Sequence, residues 1–196
     1  YFDNPKNAKA TDRYAHLAMA AARIAIKAAA ISPEALASDR AAIIVGSAFG
    51  GMDTFEKQLL NMDKGKKVSP FSVPATLPNT APGIPAIELG CMGPNYGVVS
   101  ACAAGSHAIG DALRVLQYGD ADVALVGGAE APLTPFSYAG FSAMKAMCSA
   151  YNDRPTEASR PFDADRAGFV MGEGAGMLVL ETEEHALARG ATILCE

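Results

Sequence analysis

Tyr96-Gly97-Val98-Val99-Ser100-Ala101-Cys102-Ala103-Ala104-Gly105-Ser106-His107-Ala108-Ile109-Gly110 changes its period part-way along. A short β-branched run comes first, then one cysteine among small residues, then a helical pattern that runs to Gln117. Cys102 therefore falls at a strand-to-helix elbow. There its sulfur faces unpaired N–H groups and the positive end of the helix dipole, surroundings that favour a thiolate nucleophile. The small neighbours Ala103, Ala104 and Gly105 leave room for a substrate. The alternative is a buried structural cysteine, the commonest fate of a free thiol.

Working outward, Asp122-Val123-Ala124-Leu125-Val126-Gly127-Gly128 is a continuous apolar run with Gly119-Asp120 as the turn before it. Strand, helix and strand around Cys102 then form a parallel crossover unit, which places the chain in the α/β class. Ala41-Ala42-Ile43-Ile44-Val45 has the same character and ends at Gly46; such runs are buried on both faces. The turn Gly46-Ser47-Ala48-Phe49-Gly50-Gly51 lies at the carboxyl edge of that strand, where α/β proteins place ligands, although it meets no phosphate-loop pattern. Met177-Leu178-Val179-Leu180 reads as another buried strand, and the glycine-dense passage 168–176 before it suits close approach of two backbones. Ala191-Thr192-Ile193-Leu194 reads as a further strand.

Helices are expected over 14–30, capped by Thr11 or Asp12, over 54–63 and 137–147, and over 183–189 with Thr182 as cap. Ser32-Pro33 opens a short helical turn. In 69–88 prolines recur at Pro70, Pro74, Pro78, Pro82 and Pro85; Pro82 can open a helix, but Pro85 then removes a donor and crowds the preceding turn. The interleaved charges from Arg160 to Arg166 are expected to pair locally and pin a long loop.

The chain has 196 residues, half of them apolar, and a formal charge of −5, a composition that suits one sizeable α/β core and argues against nucleic acid as the default partner. No apolar run approaches the ~20 residues of a membrane span. Cys91, Cys102, Cys148 and Cys195 show neither CxxC nor CxxH spacing and read as reduced thiols without a metal site. Opening on Tyr1 and stopping on Glu196 after an apparent strand, the chain is expected to be cut at both ends.

Several motifs occur in one order. These are Gly93-Pro94-Asn95-Tyr96 leading to Ser100-Ala101-Cys102-Ala103, then Gly127-Gly128-Ala129-Glu130, Ala139-Gly140-Phe141 and Tyr151-Asn152-Asp153. Ala158-Ser159-Arg160-Pro161-Phe162-Asp163 and Gly168-Phe169-Val170-Met171-Gly172-Glu173-Gly174-Ala175-Gly176 follow. In order and spacing this run resembles the β-ketoacyl-[acyl-carrier-protein] synthases, the condensing enzymes of fatty-acid synthesis with a thiolase-like fold. The resemblance implies a layered α/β architecture of two similar halves, with residues 1–196 covering most of the first and the second absent.

It also implies chemistry. Cys102 takes an acyl group from acyl carrier protein as a thioester, and malonyl-carrier is decarboxylated so that its carbanion attacks that thioester in a decarboxylative Claisen condensation. No resident cofactor or metal is implied, since the substrates travel on the phosphopantetheine of the carrier. The backbone N–H of Cys102 supplies one oxyanion donor; two histidines, a lysine and the second donor belong to the other half. His16, His107 and His185 match none of these, and His107, about 140° round the helix from Cys102, reads as packing or surface.

By the same resemblance Phe49 and Phe141 line or gate the acyl pocket, and the bulk of Phe49 implies a bias against long acyl primers. Thr76 reaches the pocket of a partner subunit, so a homodimer is implied. Lys64, Lys66, Lys67 and Lys145, with Lys9, match the carrier-docking region. Bacterial cytoplasm or plastid stroma is the implied location. Rival readings are a polyketide-type ketosynthase, a non-catalytic dimerising partner, and a cysteine hydrolase, whose GxCxG elbow the sequence Ser100-Ala101-Cys102-Ala103-Ala104-Gly105 lacks.

Overall fold

A computed structural model describes residues 1–196. Four strands, β1 (Ala41–Gly46), β2 (Asn95–Val98), β3 (Val123–Glu130) and β4 (Gly174–Glu181), form one mixed sheet in the order β2-β1-β3-β4. β1 is parallel to both β2 and β3, while β4 runs antiparallel to β3. Period-two alternation divides β1 between two cores. Ala41, Ile43 and Val45 join Val123, Leu125 and Ala129 of β3 on one face. Ala42 and Ile44 join Ala124 and Val126 on the other.

After the short, unburied α1 (Pro5–Lys9), the first face is covered by α2 (Arg13–Ala28), α3 (Pro33–Leu36) and α6 (Thr80–Leu89), each of which supplies buried side chains. Fully buried Ala15, Ala18 and Ala22 let α2 lie close to the sheet, while Tyr14, Met19 and Ile26, also buried, supply the bulk that fills the core beside them. Its cap is Asp12: one carboxylate oxygen accepts from the Tyr14 N–H at 3.2 Å, and the other from the Thr54 N–H at 2.8 Å. A single buried carboxylate thus serves the first turns of α2 and of α4 (Met52–Asp63). The second face is covered by α7 (Ala104–Gln117), through Ala108, Ala112 and Leu116. The remaining helices are α5 (Ser72–Thr76), α8 (Pro135–Ala143) and α9 (Glu183–Ala188), with 3₁₀ turns at Ala101–Ala103 and Pro155–Glu157. No helix is long and apolar enough to cross a membrane.

The crossover around Cys102 has the expected form: β2, α7 and β3 follow in sequence, with β1 lying between the two strands. Thr182 caps α9 and Ser32 caps α3. The charged loop pairs locally, Arg160 with Asp163 at 3.2 Å and the Arg166 guanidinium with the Asp163 carbonyl at 2.9 Å. Arg154 and Arg160 each lie 5.1 Å from the centre of the Tyr151 ring.

Five expectations are corrected, the last in part. Residues 191–194 form no strand: no strand of the sheet lies beside them, and Leu194 is fully exposed. β4 is not buried on both faces but ends the sheet; Ala175, Met177 and Val179 pack on the α2 side, whereas on the other face Leu180 packs against the α7 core and Leu178 is 50% exposed. The helix expected to Met147 stops at Ala143, because Lys145 turns to φ +57° and Met147 pairs with Phe169 as an isolated bridge. Pro85 does sit inside α6: both Pro82 and Pro85 are fully buried, and their packing offsets the lost donor. Within 168–176 the close approach of two backbones holds at Gly168 and where the Gly176 carbonyl lies against Gly127, while Gly172 and Gly174 face open space.

Where β4 meets α9, the Glu181 carboxylate accepts from Arg189 Nε at 2.7 Å and Nη2 at 2.5 Å, and lies 2.6 Å from His185 Nδ1. Arg189 also donates to the Ala29 carbonyl at 3.0 Å, tying α9 to the end of α2. Burial works against ionisation of Glu181, but Arg189 and His185 together outweigh it and hold its carboxyl below the usual range. Its stabilisation is therefore complete above the ordinary glutamate pKa and is lost as pH falls through the lowered one. Glu181→Gln is expected to cost about 1–3 kcal/mol at neutral pH. In thermal melting, the gap between variant and parent should close as the pH is taken below about 4.3; a gap independent of pH would contradict the clamp.

Candidate active site

The carboxyl ends of β1 and β3 carry glycines, and the start of α7 rests on them. A Cβ added to Gly46 lies 2.2 Å from the Ala104 carbonyl carbon, and one added to Gly128 lies 3.2 Å from the Gly105 Cα. Only bare backbone lets the helix start come so close. This contact fixes the height of the 3₁₀ turn Ala101–Ala103, and so of Cys102, above the sheet.

Cys102 is exposed, so the buried structural alternative does not hold. It stands two residues before α7, in the middle of a turn that starts with Ala101 at φ +52°, a left-handed conformation rare for a residue with a side chain. Ala103 donates to the Ser100 carbonyl at 3.2 Å, whereas no acceptor lies on the Cys102 N–H, which is left free for a ligand. His107 is exposed and turned to Ser100, Nδ1 to Oγ at 2.8 Å. By contrast Cys91 is partly buried, and burial pushes its thiol up to about 11, which leaves it a poor nucleophile.

Cys102 opens on a cleft of about 490 Å³ formed by the 46–49 turn, the start of α7, the end of β3 and residues 169–176. Phe49 and Phe141 both line it and meet edge to face, with ring centres 6.1 Å apart. Phe141 in turn meets Phe169 at 5.1 Å. A larger hollow of about 740 Å³ around Arg160, Phe162 and Arg166 shares Phe169 and Val170 but is lined by no cysteine. The cleft with the thiol is therefore the candidate site. An exposed sulfur, a free amide on the same residue and an apolar wall of aromatic rings can accept an acyl group and shelter its chain.

Other expected residues lie outside this cleft. Thr76 ends α5, its hydroxyl donating to the Ser72 carbonyl at 2.7 Å and its own carbonyl accepting from the Gly51 N–H at 3.0 Å. Lys9, Lys64, Lys66, Lys67 and Lys145 are all exposed and enter no ion pair.

Two residues of the cleft were assigned no role from sequence. Phe169 is the third ring of the aromatic wall, hidden in a passage read for its glycines. Glu130 is the other, the last residue of β3 and one of the cleft-lining side chains. Burial raises its carboxyl, while donors from Ala48, Phe49 and Ser47 pull the other way. A carboxylate closing an apolar strand was the available signal, since a buried charge demands partners.

Residues 2–186 match the family described as "Beta-ketoacyl synthase, N-terminal domain". The chain belongs to the β-ketoacyl synthase family. A 3-oxoacyl-[acyl-carrier-protein] synthase 2 of Synechocystis sp. is 49% identical over 197 aligned positions, covering 100% of this chain and 47% of the relative. The enzyme of the same name from Staphylococcus aureus is 49% identical over 195, covering 97% of this chain and 47% of the relative. Among solved structures, a β-ketoacyl synthase from Burkholderia phymatum STM815 superposes with a TM-score of 0.87 at 34% identity, over 97% of this chain and 47% of that one. A type II PKS acyl-carrier protein in complex with its ketosynthase bound to the hexaketide does so at 0.84 and 32%, over 92% and 46%. The ketosynthase chain thus spans about half the length of the curated relatives it matches, and its fold is the thiolase-like one expected.

In this ketosynthase chain, Gly46→Ala is expected to force α7 off the end of β1. A loss of about 1–3 kcal/mol in thermal or denaturant unfolding should follow. Alkylation of Cys102 by iodoacetamide should change in rate at the same time, whereas Gly83→Ala, where nothing lies near and the backbone is helical, should leave it alone.

Proposed function

We propose that residues 1–196 form the N-terminal half of a β-ketoacyl-[acyl-carrier-protein] synthase of fatty-acid synthesis, with Cys102 as the acyl-accepting nucleophile. The observation that carries this is the pairing of an exposed thiol with its own free N–H at the head of an aromatic-walled cleft. In the first step Cys102 Sγ attacks the carbonyl carbon of an acyl thioester on the carrier. The S–C bond to Cys102 forms, the bond to the pantetheine sulfur breaks, and that thiol leaves with the proton. The Cys102 N–H takes the developing oxyanion. In the second step malonyl-carrier loses CO₂, and its carbanion attacks the Cys102 thioester; a C–C bond forms and the cysteine sulfur is released. Groups that stabilise that carbanion are assigned to the second half of the enzyme, so this half alone is expected to be acylated without condensing.

Phe49 and Phe141 are assigned to the acyl pocket, and their edge-to-face contact supports a pocket kept short. Thr76 is assigned to the pocket of a second subunit in a homodimer. The carrier is an acidic protein in this reading, and Lys64, Lys66, Lys67 and Lys145, exposed and unpaired on a chain of net negative charge, suit its docking. The substrates bring their own phosphopantetheine and no further cofactor is assigned. Bacterial cytoplasm or plastid stroma is the location assigned with the fatty-acid reading. A polyketide ketosynthase is the second reading, favoured by the carrier-bound polyketide neighbour but at 32% identity against 49% for the fatty-acid enzymes.

Incubation with acyl-carrier protein should add one acyl mass to the protein and none to Cys102→Ala, as read by intact mass spectrometry; acylation that persists in the variant removes Cys102 from this role. Reversal of Lys66 and Lys67 to Glu should weaken carrier binding about tenfold at low ionic strength and far less at high salt. Unchanged affinity at low salt would remove these lysines from the docking surface.

A further inference from the structure

The turn that carries Phe49 is held by one carboxylate. Glu130 Oε2 accepts from the Ala48 N–H at 2.5 Å and from the Phe49 N–H at 3.4 Å, and Oε1 accepts from the Ser47 hydroxyl at 3.2 Å. The Ser47 oxygen accepts in turn from the Gly50 N–H at 3.0 Å, and Ser47 is itself buried. Three successive residues and the next amide thus close on the end of β3, more than eighty positions away in the chain. Beyond this turn, Gly50 and Gly51 pack against the backbone at Thr76, where a Cβ would lie 2.6 Å and 2.1 Å from carbonyl oxygens. The Phe49 ring is therefore carried on a segment clamped at both ends, with its tip against Phe141.

We propose that Glu130 is a positioning residue for substrate selection: by gathering the amides of Ala48 and Phe49 and the Ser47 hydroxyl, it sets how far the Phe49 ring projects into the acyl pocket. Glu130 touches no reacting atom in this scheme. It acts through Phe49, and the inference rests on the assignment of the cleft as an acyl pocket. A charge-assisted acceptor shared by two amides is stiffer than either bond alone, so the ring is held against the pressure of an entering chain. Glu130→Gln keeps the volume but loses the charge and half of the acceptor capacity.

The test uses the full-length enzyme and straight-chain acyl-carrier thioesters from short to long, with acylation of Cys102 followed by mass. Glu130→Gln should change the long-to-short ratio of acylation rates at least about tenfold, the discrimination that a methylene or two of pocket depth supplies. In a Phe49→Ala background the same substitution should change that ratio less than about twofold, because the ring it positions is gone. A uniform slowing of every chain length, or an equal change of ratio in both backgrounds, overturns the proposal. Should Glu130→Gln fail to fold, Ser47→Ala replaces it and should move the ratio in the same direction by a smaller factor; no change overturns the proposal.

Native-state hydrogen exchange on the unmutated enzyme supplies a readout that needs no acyl transfer. The Ala48 and Phe49 amides should be protected at least about a hundredfold, as bonded amides are, and free exchange at these two positions overturns the anchor. Failure of every acyl thioester to label the unmutated enzyme would instead remove the acyl-pocket assignment, and the exchange result would still decide whether Glu130 holds the turn.

Discussion

Where α7 begins, the sheet below it has no side chains. Gly46 at the end of β1 and Gly128 near the end of β3 sit side by side in parallel register, and the backbone of Ala104 and Gly105 rests on them. Everything that makes the cleft follows from that contact. The helix start fixes the 3₁₀ turn before it, the turn takes up the left-handed step at Ala101, and the step turns Cys102 out of the core. A methyl group at Gly46 meets peptide atoms on both sides of the 104–105 bond, atoms that cannot rotate aside as a flexible side chain can. The glycines are a geometric requirement of this exposed thiol's position.

The same constraint explains how an exposed thiol coexists with a rigid surround. β1 is buried along its whole length, and its two faces are covered by α6 on one side and α7 on the other. Displacement of a strand end directly beneath the cleft therefore displaces both cores at once. The aromatic rings above it belong to neither core cluster and meet one another edge to face, so the place of Phe49 depends on the hydrogen bonds of the turn that carries it.

Much of this was legible in the sequence because apolar runs without alternation can hardly be anything but strands covered on both faces. The runs at 41–45 and 122–128 gave β1 and β3, and the change of period around Cys102 gave the elbow. Reading failed where the outcome depends on a neighbour distant in the chain. Leu178 lies in a run as apolar as that of β3, but how deeply a strand is buried is set by what lies beside it, and β4 ends the sheet. Residues 191–194 carry strand-forming side chains without a strand beside them. Pro85 argues against a helix on local grounds, and the burial of both proline rings against the core overrules it. The thiol, Phe49 and Phe141 were found through their motifs, whereas Phe169 and Glu130 act through contacts that no spacing rule encodes.

Glu130 shows why such residues escape a reading by motif. Its position in the chain is fixed by β3, a strand whose preceding residues serve the core, and its significance comes from projecting past the helix-covered region into the cleft. A neutral apolar residue there would complete the strand equally well but would leave the amides of Ala48 and Phe49 and the Ser47 hydroxyl without an acceptor in a partly buried place. The turn would then have to rearrange to satisfy them, and Phe49 would move with it. One carboxylate therefore reconciles two demands: the strand must end where the helix dipole and the thiol are, and the turn beside it must hold a bulky ring at a fixed height over the same cleft. The burial that raises its carboxyl is the cost of putting an acceptor where three donors converge, and their convergence is what keeps that acceptor in place.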